Sequence, residues 1–151
     1  AARRQDSLAA GLGLAEESRL RYYPNGDIGA AIASGSFRCE GMAVVPCSMG
    51  TLAAIAHGTA DNLLTRAADV TLKEGRPLLL VPRETPLNAI HLENMLKLAR
   101  LGVRMIPAMP AFYHGSQTLE DAVNFVVGKV LDGMNVPHRL FRRWGETDDN
   151  T

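Results

Sequence analysis

The stretch Pro46-Cys47-Ser48-Met49-Gly50-Thr51 follows directly on the apolar run Met42-Ala43-Val44-Val45-Pro46. The same alternation recurs twice. Pro77-Leu78-Leu79-Leu80-Val81-Pro82 opens onto Arg83-Glu84-Thr85-Pro86, and Val103-Arg104-Met105-Ile106-Pro107 leads through Met109-Pro110-Ala111 to Phe112-Tyr113-His114. Short, unbroken apolar runs separated by helix-period segments predict strands of a parallel α/β sheet, buried on both faces. In such sheets ligands bind beyond the carboxyl ends of the strands. Three polar clusters at three strand ends therefore point to one site, and to a ligand binder or an enzyme.

Composition narrows the classes. The 151 residues suffice for a single domain, read as residues 1–151, with a proper core. Sixteen basic and sixteen acidic residues cancel, which gives no overall attraction to nucleic acid or to an anionic membrane. Basic residues near the strand ends suit a small anionic ligand. No apolar run approaches the roughly 20 residues that cross a bilayer. Ala1-Ala2-Arg3-Arg4-Gln5-Asp6 lacks the apolar core of a signal peptide. Two cysteines, Cys39 and Cys47, make neither a disulfide framework nor a zinc pair, so a reducing, cytoplasmic setting is expected. Cys47 is read as packed rather than reactive. His57, His91, His114 and His138 are scattered, and none has metal-ligand spacing.

Local signals order the rest. Residues 1–20 read as a helix broken by Gly11 and Gly13, and Tyr22-Tyr23-Pro24-Asn25-Gly26-Asp27 as a turn. Asp27 is placed to cap a short helix through Ile32, before a Ser34-Gly35-Ser36 loop. Helices are expected over 51–58 and 61–68, then a short strand or turn at Asp69-Val70-Thr71-Leu72. Residues 88–101 form an amphipathic helix with Ile90, Met95, Leu98 and Leu101 near one face, stopped by Gly102. Thr118 and Asp121 have capping-box spacing for a last helix to about Leu131. The tail from Asn135, with the sole tryptophan Trp144, is expected to dock on a neighbouring copy or on the rest of the domain, its last five residues disordered. Three such apolar strands are too few to cover themselves. A further region or a partner chain is expected to do so.

Several residues invite chemistry, each beside a plainer reading. Ser48, Gly50 and Thr51 stand where a helix amino terminus offers free N–H groups to an anion or a ring edge; the plain alternative is a helix cap. Arg83 suits a phosphate, and Glu84 beside a phosphate would have a raised pKa and could pass a proton; the alternative is a surface ion pair between the two. Arg66 and Lys73 flank the expected turn on one side and either could hold phosphate, Tyr113 offers a phenol, and Lys129 is a helical lysine of the ordinary exposed kind. No nucleophile elbow or G-x-G-x-x-G loop is present.

These motifs, together with Leu64-Thr65-Arg66-Ala67-Ala68-Asp69-Val70-Thr71-Leu72-Lys73-Glu74 and the closing Arg143-Trp144-Gly145, resemble the UbiX-type flavin prenyltransferases over roughly residues 30–146. The resemblance implies a flavodoxin-like or Rossmann-like three-layer α/β/α sandwich with a mostly parallel sheet. It implies transfer of a dimethylallyl group from dimethylallyl phosphate to N5 and C6 of reduced FMN, with no metal. The prenylated FMN would pass to a UbiD-type decarboxylase, in ubiquinone synthesis or in aromatic-acid decarboxylation. A homododecamer with sites between subunits is also implied. By position, Ser48, Met49, Gly50 and Thr51 match the FMN-contacting loop, and Arg83 a flavin-contacting arginine. Lys73, Tyr113 and Lys129 match positions that hold the donor phosphate, Arg66 a further basic residue near the pocket, and Glu84 the residue credited with proton transfer. Glu84 and Lys73 are the expected catalytic pair.

The family's first strand, its glycine-rich loop and its second strand have no counterpart in these residues. The chain is accordingly expected to be a fragment of an enzyme of roughly 190 residues, and by itself to bind FMN poorly. Two other readings share the fold. A flavin-dependent cysteine decarboxylase carries a P-A-S-A-N-T-like loop where Cys47, Met49 and Gly50 stand here. A non-catalytic flavin-binding or assembly subunit does not need Lys73, Glu84 and Tyr113 together.

Overall fold

The computed structural model describes residues 20–111 and 118–143. The helix expected over residues 1–20, all but its last residue, the segment holding Tyr113 and His114, and Trp144 with the residues after it lie outside the described residues. Among those described, the order is β1 (Met42–Cys47), α1 (Met49–His57), α2 (Leu63–Lys73), β2 (Leu78–Pro82), α3 (Ala89–Arg100), β3 (Arg104–Met105) and α4 (Leu119–Gly133).

The three strands are parallel in the order β1-β2-β3. Met42 pairs with Leu78, Val44 with Leu80 and Cys47 with Pro82. Every residue of β2 is buried. Leu78 and Leu80 face a core built with Val44, Leu52, Ile55, Leu98 and Val103, from α1, α3 and the strands. Leu79 points the other way, toward Gly133 at the end of α4, where a Cβ would strike its side chain. The fold is thus α/β, with helices on both sheet faces, as expected.

Each α-helix begins on a Ser, Thr or Asn cap. Asn62 with Thr65, Asn88 with His91 and Thr118 with Asp121 form reciprocal boxes, the last as its spacing predicted. Gly102, at φ +85°, turns the chain out of α3 as expected. The Asn25 turn is tied to the start of α2, because its backbone and side-chain oxygens accept from the Leu63 and Leu64 N–H groups.

Five expectations need correction. Asp27 caps no helix: only a 3-10 turn forms, at Ala31–Ala33, without a side-chain cap, while the Asp27 carbonyl accepts from Ala30. Asp69-Val70-Thr71-Leu72 is neither strand nor turn but the end of α2, since the first-turn cap at Asn62 carries a continuous helix to Lys73. β1 is not buried on both faces. Val44 and Cys47 are buried, but Ala43, Val45 and Pro46 are exposed; β1 is the edge strand of the described sheet, and the end of α4 meets Leu79 of β2 and Arg104 of β3 instead. β3 is two residues long, although the chain keeps bonding beside β2 through Ile106 N to Leu80 O and Ala108 N to Pro82 O. Its prolines, Pro107 and Pro110, have no N–H to continue a ladder. Finally, the core stripe of α3 is Asn94 and Leu98 with Met95 against it, while Ile90 and Leu101 are exposed. Asn94 can be buried because its Oδ1 is 3.0 Å from His57 Nε2 on α1.

Candidate active site

The register that pairs Cys47 with Pro82 sets the next residues of both strands side by side. Ser48-Met49-Gly50-Thr51 and Arg83-Glu84 therefore emerge together at the carboxyl end of the sheet. The Ala108 N–H bonded to Pro82 brings the segment after β3 to the same edge, while the third cluster itself lies outside the described residues. Ser48 is the cap of α1: its Oγ accepts from Thr51 N at 3.1 Å and donates to Thr51 Oγ1 at 3.0 Å. The capping reading is realised, and it leaves the helix amino terminus at the site. Beside Gly50 a Cβ would meet nothing nearer than Ser48 Oγ at 3.9 Å, so a flat group can approach the backbone. Two cis peptide bonds, Val45–Pro46 and Thr85–Pro86, flank these clusters.

Arg83 and Glu84 are exposed, and no ion pair joins them among the described residues. The surface-pair reading is thus not what the structure contains. Glu84 instead accepts from its neighbour's N–H, Thr85 N to Oε1 at 3.1 Å. Arg83 presents a guanidinium at a strand end next to a helix amino terminus, an arrangement suited to an anion. Cys47 is packed, as expected: burial pushes its thiol up to about 11.

The basic residues divide. Arg66 and Lys73 sit on one helix, α2, seven residues apart and hence on one face, not around a turn. Arg66 pairs with Asp69 at 3.7 Å and Lys73 with Glu74 at 3.1 Å. Lys73 precedes β2 whereas Glu84 follows it. Five residues of strand, at about 3.3 Å each, separate the two within one chain. The structure does not bring them together. Tyr113 lies outside the described residues.

Lys129 is on the outer side of α4, and its ammonium sits 5.6 Å from the Phe125 ring centre and 5.3 Å from that of Phe141. It is a lysine held by cation–π contacts rather than the free helical lysine of the plain reading. The sequence gives no hint of the latch that does this. The segment after α4 folds back on it: Phe141 stacks on Phe125 and His138, while Asp132 accepts from Arg143 at 2.6 Å and lies 3.0 Å from His138 Nε2. The Arg143 hydrogen bonds hold the Asp132 carboxyl below its usual range. The tail thus docks on its own domain. It needs Gly128, where any Cβ would collide with Phe141 and come within 2.6 Å of His138 Cε1. Gly128→Val is expected to lower stability by about 1–3 kcal/mol and to release the latch. Urea unfolding and amide exchange of residues 137–143 check this, and an unchanged exchange pattern would contradict it.

The model of the flavoprotein family matches residues 24–131. The flavin prenyltransferase UbiX of Alkalihalophilus pseudofirmus is 60% identical over 120 residues, spanning 80% of this chain and 60% of that one. The chain belongs to the UbiX-type flavoprotein family. Among solved structures, a dodecameric FMN-dependent UbiX-like decarboxylase from Escherichia coli O157:H7 superposes with a TM-score of 0.80 at 57% identity, over 82% of this chain and 67% of that one. AnUbiX (PadA1), solved with FMN and dimethylallyl pyrophosphate, gives 0.80 at 48% identity, over 83% and 67%. Membership fits the flavodoxin-like sandwich that the resemblance implies.

Among the described residues no helix is long and apolar enough to cross a membrane.

Proposed function

We propose that this chain carries prenyl-transfer machinery: a dimethylallyl group passes from a dimethylallyl phosphate donor to reduced FMN, and a UbiD-type decarboxylase receives the product. The observation that carries this is the meeting of the Ser48–Thr51 helix amino terminus with Arg83 and Glu84, neither ion-paired among the described residues, at one sheet edge. A relative at 48% identity, solved with FMN and dimethylallyl pyrophosphate, supports it. The setting is cytoplasmic, and the working form is a homo-oligomer, a dodecamer like the E. coli neighbour.

The residues fit FMN. Open space beside Gly50 admits a ring edge, and Arg83 supplies a cation that forms no ion pair among the described residues. Reduced FMN, when bound, supplies the electron-rich N5 and C6 to which the C5 group is joined. Ser48, Met49, Gly50 and Thr51 line its site, Met49 and Gly50 offering backbone N–H groups while the Thr51 N–H is held by Ser48 Oγ, and Arg83 balances its negative charge. Glu84 holds or moves the proton exchanged as phosphate leaves and the ring closes. Lys73, Tyr113, Lys129 and Arg66 hold the phosphate. Because Lys73 and Glu84 lie at opposite ends of β2, Lys73 serves the site of a neighbouring copy in this reading. The site is shared between subunits.

Anaerobic incubation with reduced FMN and dimethylallyl phosphate, followed by mass spectrometry of the released flavin, tests the proposal. The assay is run on this chain and on a version preceded by the family's glycine-rich segment. Flavin heavier by one C5 unit in either is the expected result. Bound but unmodified FMN in both would overturn prenyl transfer in favour of a flavin carrier.

A further inference from the structure

Helix α3 has a second apolar face. Its core side carries Asn94 and Leu98, yet Leu92 and Leu96 on the opposite side are 52% and 50% exposed. Leu96 borders a shallow concavity of about 370 Å³, lined also by Glu93, Lys97, Arg100 and Leu101. Large apolar side chains gathered on one exposed helical face mark an interaction site. Glu93 and Lys97 have the spacing of a helical ion pair. Neither they nor Arg100 forms an ion pair among the described residues, so three charges rim the apolar patch unused.

We propose that this face is a two-fold contact between two copies of the chain, with their α3 helices antiparallel and crossing at Leu96. This inference rests on the reading that the chain assembles with itself, and names the surface. The spacing is self-complementary. Glu93 lies three residues before Leu96 and Arg100 four after it, so in an antiparallel pair each Glu93 faces the Arg100 of the second copy. Leu92 lies four before and Ala99 three after, so each Leu92 faces an alanine small enough to admit it. At 100° per residue, Glu93 and Arg100 share one flank of Leu96, and Leu92 and Ala99 the other. Leu96 meets its own counterpart on the axis. Isologous contacts have this property: each pair forms twice, from one patch. Two crossing helices of this length bury less than the roughly 800 Å² per partner of a stand-alone dimer. The contact therefore belongs inside a larger closed assembly.

Sedimentation equilibrium of the 151-residue chain, its Leu96→Glu variant, the single variants Glu93→Arg and Arg100→Glu, and their double variant tests this, with circular dichroism to establish folding. The unaltered chain is expected to run at an even number of subunits. Leu96→Glu and either single charge reversal should weaken association more than about tenfold, and the double reversal should restore it. An assembly whose mass is untouched by folded Leu96→Glu would place self-association elsewhere and overturn this contact alone. A monomeric unaltered chain would overturn the self-assembly reading as well.

Discussion

Glu84→Gln is expected to slow C5 transfer by about 100- to 10,000-fold, the range that a positioned proton-transfer group contributes, while FMN retention stays near that of the unaltered chain. The amide keeps the size of the side chain and retains an oxygen for the hydrogen bond from Thr85 N. The local turn is therefore preserved. What it removes is a group able to accept and return a proton. Arg83, one residue earlier, remains to balance the flavin's charge, so binding and chemistry separate at adjacent positions. The measurement is the single-turnover rate of C5 addition across pH in the version competent for transfer, with bound FMN quantified in parallel. A rate within about threefold of the original would remove Glu84 from proton transfer. Equal loss of rate and FMN would make it a binding residue instead.

The parts that the sequence announces are those set by neighbours along the chain. β2, the Thr118 box and the Gly102 stop depend on a few adjacent residues, and each stands where its local chemistry puts it. So do the strand-end clusters, because parallel pairing of two apolar runs forces their next residues together. What the sequence could not convey depends on distant partners. Val45 is as apolar as Val44, yet Val44 packs into the core with Leu52, Ile55 and Leu98 while Val45 is 55% exposed. Asn94 took a core position because His57, thirty-seven residues away, bonds to it. The core stripe of α3 thus keeps Met95 and Leu98 of the expected face, adds Asn94, and leaves Ile90 and Leu101 outside. Lys73 and Glu84, paired by the family resemblance, stand at opposite ends of β2, which only the strand's course shows. The latch over Lys129 needed Phe141, His138 and Gly128 to be known as contacts, and no periodicity carries that.

Leu80→Ala is expected to cost about 2–5 kcal/mol, the range for emptying a well-packed leucine site. Leu80 is fully buried in the central strand and packs with Val44 of β1, Leu98 of α3 and Val103. Its backbone is also fixed on both sides, paired with Val44 on one and with Met105 on the other. Neither neighbour can close on the lost volume without disturbing a ladder, which favours the upper part of that range. Leu119→Ala provides the comparison. The same atoms are removed from a side chain 82% exposed at the first turn of α4, so the change should stay within about 0.5 kcal/mol. Urea unfolding of the three proteins, followed by circular dichroism, measures both. Because folding free energies of single domains are only about 5–15 kcal/mol, the Leu80 variant should lose a large share of its stability. A midpoint shift no larger than that of Leu119→Ala would mean that β2 is not the centre of the core. The sheet edge that sets Ser48 beside Arg83 would then lose its support, since it is the burial of β2 between two strands that holds those loops in register.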